Sequence, residues 1–189
     1  ILDDGTAMLA HLGMSGQFRV STQHAPQHRH TRIVITLDDG RDLRFLDQRT
    51  FGGLTLAPLV DGIPGPVTHI APDPFEECFD VDEVVRRLCA RRSAIKRSLL
   101  DQTLVSGIGN IYADETLWRV RCHPETPCSR LSQSEAVELL QTACDVMAEA
   151  MSQGGTSFDS LYVNVNGESG WFSRVLDAYG REDEPLPPM

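Results

Sequence analysis

Residues 99–115 constrain the fold more than any other stretch, because two helical patterns meet there across a turn with two glycines and the second helix opens on Asn110. Gly107 and Gly109 can take positive φ and let another backbone approach closely. The first amides of the second helix then point outward at the positive end of its dipole. Asn110 adds a side-chain amide able to cap that helix or to donate to a phosphate oxygen. The pattern fits a phosphate grip, and it also fits a plain joint between two helices closed by a glycine stop.

Periodicity divides the rest of the chain. Alternating apolar residues over 31–37 end at the turn Asp38-Asp39-Gly40 and resume over 41–45, which predicts an antiparallel β lobe for residues 1–57. His11 to Gly16 is read as part of a strand in that lobe, and residues 21–30, with His24, His28 and His30, as a polar hairpin loop with no carboxylate or thiol nearby to complete a metal site. Residues 58–80 carry Pro64, Pro66, Pro72 and Pro74 and are read as a linker without a regular element. Helical spacing begins near Val81, resumes at Ala94, and continues from Asn110 to about Val120. A last helix starts at the capping box Ser132-Gln133-Ser134-Glu135, with Val137, Leu140, Ala143, Cys144, Met147 and Met151 as its core stripe, and stops at Gly154-Gly155. Residues 81–153 thus form a helical domain, and 154–189 begin with a long polar, glycine-punctuated loop of the kind that is usually functional or disordered.

The string from Leu100-Asp101-Gln102-Thr103 through Gly107-Ile108-Gly109-Asn110 to Ala113-Asp114-Glu115, followed by Trp118 and His123-Pro124, closely resembles the helix-two-turn-helix element of formamidopyrimidine-DNA glycosylases, the Fpg/Nei family, in its actinobacterial form. Three further segments agree in order. His11-Leu12-Gly13-Met14-Ser15-Gly16 is similar to a family signature, which implies that His11 holds a phosphate beside the lesion and that Met14 fills the gap left by the everted nucleotide. Without the resemblance, both read as ordinary core or strand residues. Arg49 and Phe51, two residues apart on the turn Asp47 to Gly53, can project together from a loop tip; the resemblance implies that Arg49 faces the orphaned base and Phe51 inserts into the stack. Thr50 stands where the family often has a second basic residue. The loop over 156–162, including Thr156, Ser157, Phe158 and Tyr162, is similar to the one that closes over the everted base.

The resemblance implies an α+β fold, an antiparallel β lobe forming an incomplete sandwich followed by the helical helix-two-turn-helix lobe. It also implies base-excision repair: release of oxidised purines such as 8-oxoguanine and cleavage of the abasic strand, on duplex DNA containing an oxidised purine or an abasic site. The family's proline nucleophile and its partner glutamate have no counterpart here and are expected to precede Ile1, so no catalytic residue is assigned and this chain alone is expected to bind DNA without catalysis. A non-catalytic damaged-DNA-binding module is the alternative. Cys78, Cys89, Cys122, Cys128 and Cys144 contain no Cys-x-x-Cys pair, so the family's zinc finger, its metal and any cofactor are expected to be absent. Free thiols and the lack of a secretory or membrane segment point to a reduced cytoplasm and no membrane partner, and the resemblance implies a bacterial, nucleoid-associated monomer.

A net charge of −10 argues against a DNA binder until its distribution is considered. Residues 81–130 carry nine bases against six acids, whereas 131–189 carry two against ten. Arg86, Arg87, Arg91, Arg92, Lys96 and Arg97 cluster beside the proposed grip, and Lys96, fourteen residues before Asn110, matches a DNA-facing lysine of the family.

Overall fold

Of the 189 residues, the computed structural model describes 1–155, 165 and 170–181. The chain divides into two compact units, residues 1–68 with 153–174 and residues 69–152 with the segment from 175 onward. The first is built on antiparallel strands and the second on helices, so the α+β class holds.

In the first unit, β1 (Thr6–His11), β2 (Gly16–Thr22), β3 (Thr31–Thr36), β4 (Arg41–Asp47), β5 (Gly53–Val60) and β6 (Ile63–Pro64) make two three-stranded sheets, ordered β1-β5-β6 and β2-β4-β3. The β3–β4 hairpin turns at Asp38-Asp39-Gly40 as its sequence predicts. Side-chain alternation places Phe18 opposite Phe45 on one face of β2-β4-β3, with ring centroids 5.2 Å apart. On the opposite face Arg44 forms a buried ion pair with Asp42 at 3.0 Å and donates to the carbonyls of Thr22, Ala25 and Pro26. That one guanidinium satisfies a row of loop carbonyls.

Three expectations for this unit need correction. His11 to Gly16 is not one strand: β1 ends at His11, β2 starts at Gly16, and the two belong to different sheets, so the segment is a corner between them. The 23–30 loop is not a hairpin, because β2 and β3 flank β4 and the loop must cross it. The stretch after residue 57 is not free of regular structure: β5 continues to Val60 through Pro58, β6 pairs with it, and a 3-10 turn follows at Gly65–Val67. Pro58 lies opposite Thr6, the first residue of β1, so its missing N–H falls at the end of a ladder, where proline is tolerated.

The helical unit contains α1 (Val81–Cys89), α2 (Ile95–Leu99), α3 (Asn110–Arg119) and α4 (Gln133–Ser152). Asp80 caps α1 by accepting from the Glu83 amide at 3.0 Å. The capping box before α4 forms as expected: the Ser132 amide donates to Glu135 at 2.8 Å, and the Glu135 amide to the Ser132 hydroxyl at 3.3 Å. Val85, Leu88, Ile95, Leu99, Leu104, Ile108, Leu117, Leu139 and Val105 are sealed into one core. The stripe of α4 is rotated from the expected one. Ala136, Leu139, Leu140, Ala143, Val146, Met147 and Ala150 are buried, while Val137 and Met151 face solvent, because the strict helical period over twenty residues selects the former set.

Candidate nucleic-acid interface

Two short loops of the β unit meet edge to edge. The corner between β1 and β2 presents Met14, 60% exposed, and the loop between β4 and β5 presents Arg49 and Phe51, the latter 58% exposed. The Arg49 guanidinium sits 4.8 Å from the Phe51 ring centroid, so the cation and the aromatic project as a stacked pair, and the reading of Met14 as a core residue is overturned. His11 is also exposed, at the end of β1 opposite Gly53. Glycine is required where the loops touch: a Cβ on Gly13, whose φ is 60, would lie 2.9 Å from the Phe51 carbonyl carbon. Asp47, 1% exposed, ends β4 beneath the junction. It accepts from the Ser15 hydroxyl at 2.6 Å, the Gly52 amide at 2.8 Å and the Arg49 amide at 3.1 Å. These donors, Ser15 first, hold its carboxyl below the ordinary aspartate range.

In the helical unit the turn between α2 and α3 is stitched by its own side chains. Gln102 accepts from the Gly107 amide at 3.0 Å and donates to the carbonyls of Ile108 and Leu100 at 3.0 and 3.1 Å. Gly107 has φ 85, the left-handed conformation that favours glycine, and a Cβ there would meet only the ends of the Asp73 and Met147 side chains, which can shift. Gly109 differs from expectation: with φ −100 it is extended, and the space beside it is open. It is also the N-cap of α3, which displaces Asn110 to the first helical position and leaves its exposed amide without a hydrogen-bond partner among the described residues. A side-chain amide without a partner among the described residues, at the start of a ten-residue helix, is suited to an anionic oxygen.

The basic cluster is less free than its sequence suggests. Arg86 pairs with Glu83, Arg87 donates to the Thr103 carbonyl at 2.7 Å, Arg91 pairs with Asp101 at 2.6 Å, and Lys96 pairs with Asp114 at 2.7 Å. Only Arg92 and Arg97 of that group lack a partner among the described residues. Asp101 is pulled down to about 2, chiefly by Arg91 and then by Thr103. Glu115 is fully buried on α3 and accepts from three consecutive amides, Asp177, Ala178 and Tyr179, each at 2.9 Å. It anchors the returning chain to the helix that starts at Asn110.

The chain matches the formamidopyrimidine-DNA glycosylase N-terminal domain over residues 1–54 and the formamidopyrimidine-DNA glycosylase H2TH domain over residues 70–161. It is 55% identical over 186 residues to the formamidopyrimidine-DNA glycosylase of a Nocardioides species and 53% identical over 197 residues to that of Thermobifida fusca, in each case over 97% of this chain. The chain belongs to the formamidopyrimidine-DNA glycosylase family. It spans 63% and 67% of the length of those two relatives. Its fold is similar to that of the MutM (Fpg) protein from Thermus thermophilus, with a TM-score of 0.85 and 36% identity over 98% of this chain and 68% of that one. It is also similar to Lactococcus lactis Fpg in its complex with abasic-site-containing DNA, with a TM-score of 0.81 and 30% identity over 97% of this chain and 67% of that one.

At Thr50 the hydroxyl is spent on the Arg49 carbonyl at 2.7 Å and the backbone is left-handed, with φ 56. The expected capping residues Thr156, Ser157, Phe158 and Tyr162 lie outside the described residues. The two flanks of that segment meet: Trp171 donates to the Gln153 carbonyl at 3.0 Å and Phe172 to the Gly155 carbonyl at 3.2 Å. Asp47, Ser15, Gln102 and Glu115 are the residues that sequence reasoning passed over. All four lie inside segments that carry the resemblance, but a polar residue at a strand end, in a turn or in a helix carries no sign of which loop its side chain will reach.

Proposed function

We propose that this chain performs damage recognition in DNA base-excision repair, as the part of a formamidopyrimidine-DNA glycosylase that grips duplex DNA and props open its stack at an oxidised purine or an abasic site. The observation that carries this reading is the exposure of two large apolar side chains, Met14 and Phe51, on neighbouring loops with Arg49 stacked on the second. Adjacent exposed apolar groups on touching loops form a patch of the kind that marks a contact surface, and wedges of this chemistry enter unstacked base steps. His11 and Asn110 take phosphates, Arg49 faces the base left without its partner, and Met14 and Phe51 occupy the vacated stack. The family's reaction is amine catalysis, in which an unprotonated amine attacks the sugar and the resulting imine permits strand cleavage. For residues 1–189 the proposal concerns binding and distortion of the duplex.

Fluorescence anisotropy with a tetrahydrofuran abasic duplex and an intact duplex of the same sequence tests this. Phe51→Ala and Met14→Ala are expected to lower the preference for the abasic duplex by about tenfold, as loss of a stack-filling contact worth roughly 1.4 kcal/mol implies, while affinity for intact duplex holds. The duplex is recovered uncut. Unchanged preference in both folded variants overturns the wedge assignment.

A further inference from the structure

Resting on the wedge reading, we infer that Asp47 is a positioning residue: its buried carboxylate staples the two loops together, so that Met14, Arg49 and Phe51 are presented to DNA as one preformed body. A carboxylate that is 1% exposed and has no ion-pair partner among the described residues is an expensive choice for a strand end. An apolar side chain there would serve packing better, since buried charges add little net stability even when paired. What the carboxylate has instead is reach. One oxygen accepts from Ser15 on the first loop and from Arg49 on the second, and the other accepts from Gly52. The Arg49 and Gly52 amides bracket Thr50 and Phe51, so the anion fixes both ends of the tip that carries the ring.

The Ser15 hydroxyl closes the link a second time, donating to Asp47 while accepting from the Arg49 amide at 3.1 Å. The left-handed backbone at Thr50 is uncommon for a residue branched at Cβ, and it persists because its flanking amides are held. The backbone of Gly13 approaches Phe51 and Gly52 so closely that a Cβ would not fit, so the two loops pack directly on each other. Pre-ordering of this kind matters for a wedge, because each mobile side chain or loop that must be frozen on insertion subtracts from the binding it gains.

A double-mutant cycle on the full chain reads this out, with lesion preference measured as above and the fluorescence of 2-aminopurine placed beside the abasic site reporting unstacking. Asp47→Asn is near isosteric, but its amide group turns a donor toward one of the three donors that now converge on the carboxylate. It is expected to lower lesion preference and the 2-aminopurine rise about as far as Phe51→Ala does, and to add almost nothing in the Phe51→Ala background. Ser15→Ala has a smaller effect of the same sign, and Ser15→Thr restores it. Should Asp47→Asn fail to fold by circular dichroism, Ser15→Ala alone and with Phe51→Ala completes the cycle. If Phe51→Ala itself leaves preference unchanged, the wedge reading fails and takes this inference with it. If Phe51→Ala lowers preference while Asp47→Asn and Ser15→Ala do not, or if their losses add in full to that of Phe51→Ala, the wedge stands and the staple is overturned.

Discussion

Glu115 is the residue whose chemistry is spent most fully. Its two oxygens take three amides from residues 177–179, and no cation pairs with it among the described residues. A buried carboxylate is tolerable only when donors replace its hydration, and here the donors belong to the chain's return onto α3. Glu115→Gln keeps the shape but turns an amide donor against at least one backbone N–H. Unfolding stability is expected to fall by about 2 kcal/mol, the usual cost of a charge-assisted bond broken with its partner left buried. Arg174 and Arg181 bracket the anchored segment, so limited trypsin digestion provides a local readout. Faster cleavage after these two arginines than after arginines of α1 is the expected pattern. A Glu115→Gln chain that melts and is cut like the parent removes the anchor.

At the scale of elements, the link between α1 and the turn before α3 runs through charge. Arg91 follows α1 and holds Asp101, which also accepts the Thr103 amide and hydroxyl, and Arg87 reaches the Thr103 carbonyl from α1 itself. Because Asp101 is lowered from 3.8 to about 2, its contribution is fully present above the unfolded value and is lost as pH falls toward the folded one. Asp101→Asn is expected to cost about 1 kcal/mol at neutral pH, a modest figure because the pair is partly exposed and screened by water. Urea titrations should show that difference constant from pH 7 to about 5 and shrinking below about 4. A difference that stays flat into that acid range disconnects Asp101 from the stability of the turn.

The same scale shows how far the sequence was readable. The helices, the β3–β4 hairpin and the capping box at Ser132 were legible because local periodicity and capping specify them. The corner at Leu12 to Ser15 was not, since strand pairing between distant segments decides which sheet receives β1 and which β2. Arg49 and Phe51 were legible as a projecting pair, because two residues on a tight turn share a tip. The ion pair of Lys96 was not legible for a different reason: Asp114 lies eighteen positions away on α3, and only the packing of α2 on α3 brings the two charges together.

For the whole molecule, a net charge of −10 means that long-range attraction to DNA is weak and that binding depends on a few local cations. In the helical unit most of the clustered bases are already engaged by acids or carbonyls, and of that cluster Arg92 and Arg97 lack a partner among the described residues and are left for phosphates. Each phosphate neutralised by a cation releases counterions and adds about 0.9 to the slope of log affinity against log salt. Arg92→Ala and Arg97→Ala are therefore expected to flatten that slope by about one unit each. Asn110→Ala should behave differently, because a neutral amide brings no charge to the contact. It is expected to weaken binding by about 1 kcal/mol, alike on intact and abasic duplex, with the slope unchanged. Anisotropy titrations at four or more salt concentrations separate the two behaviours. If Asn110→Ala binds like the parent at every salt concentration, the unspent amide at the start of α3 is not a phosphate ligand; if it alters only the lesion preference, it reads the damaged site and not the backbone.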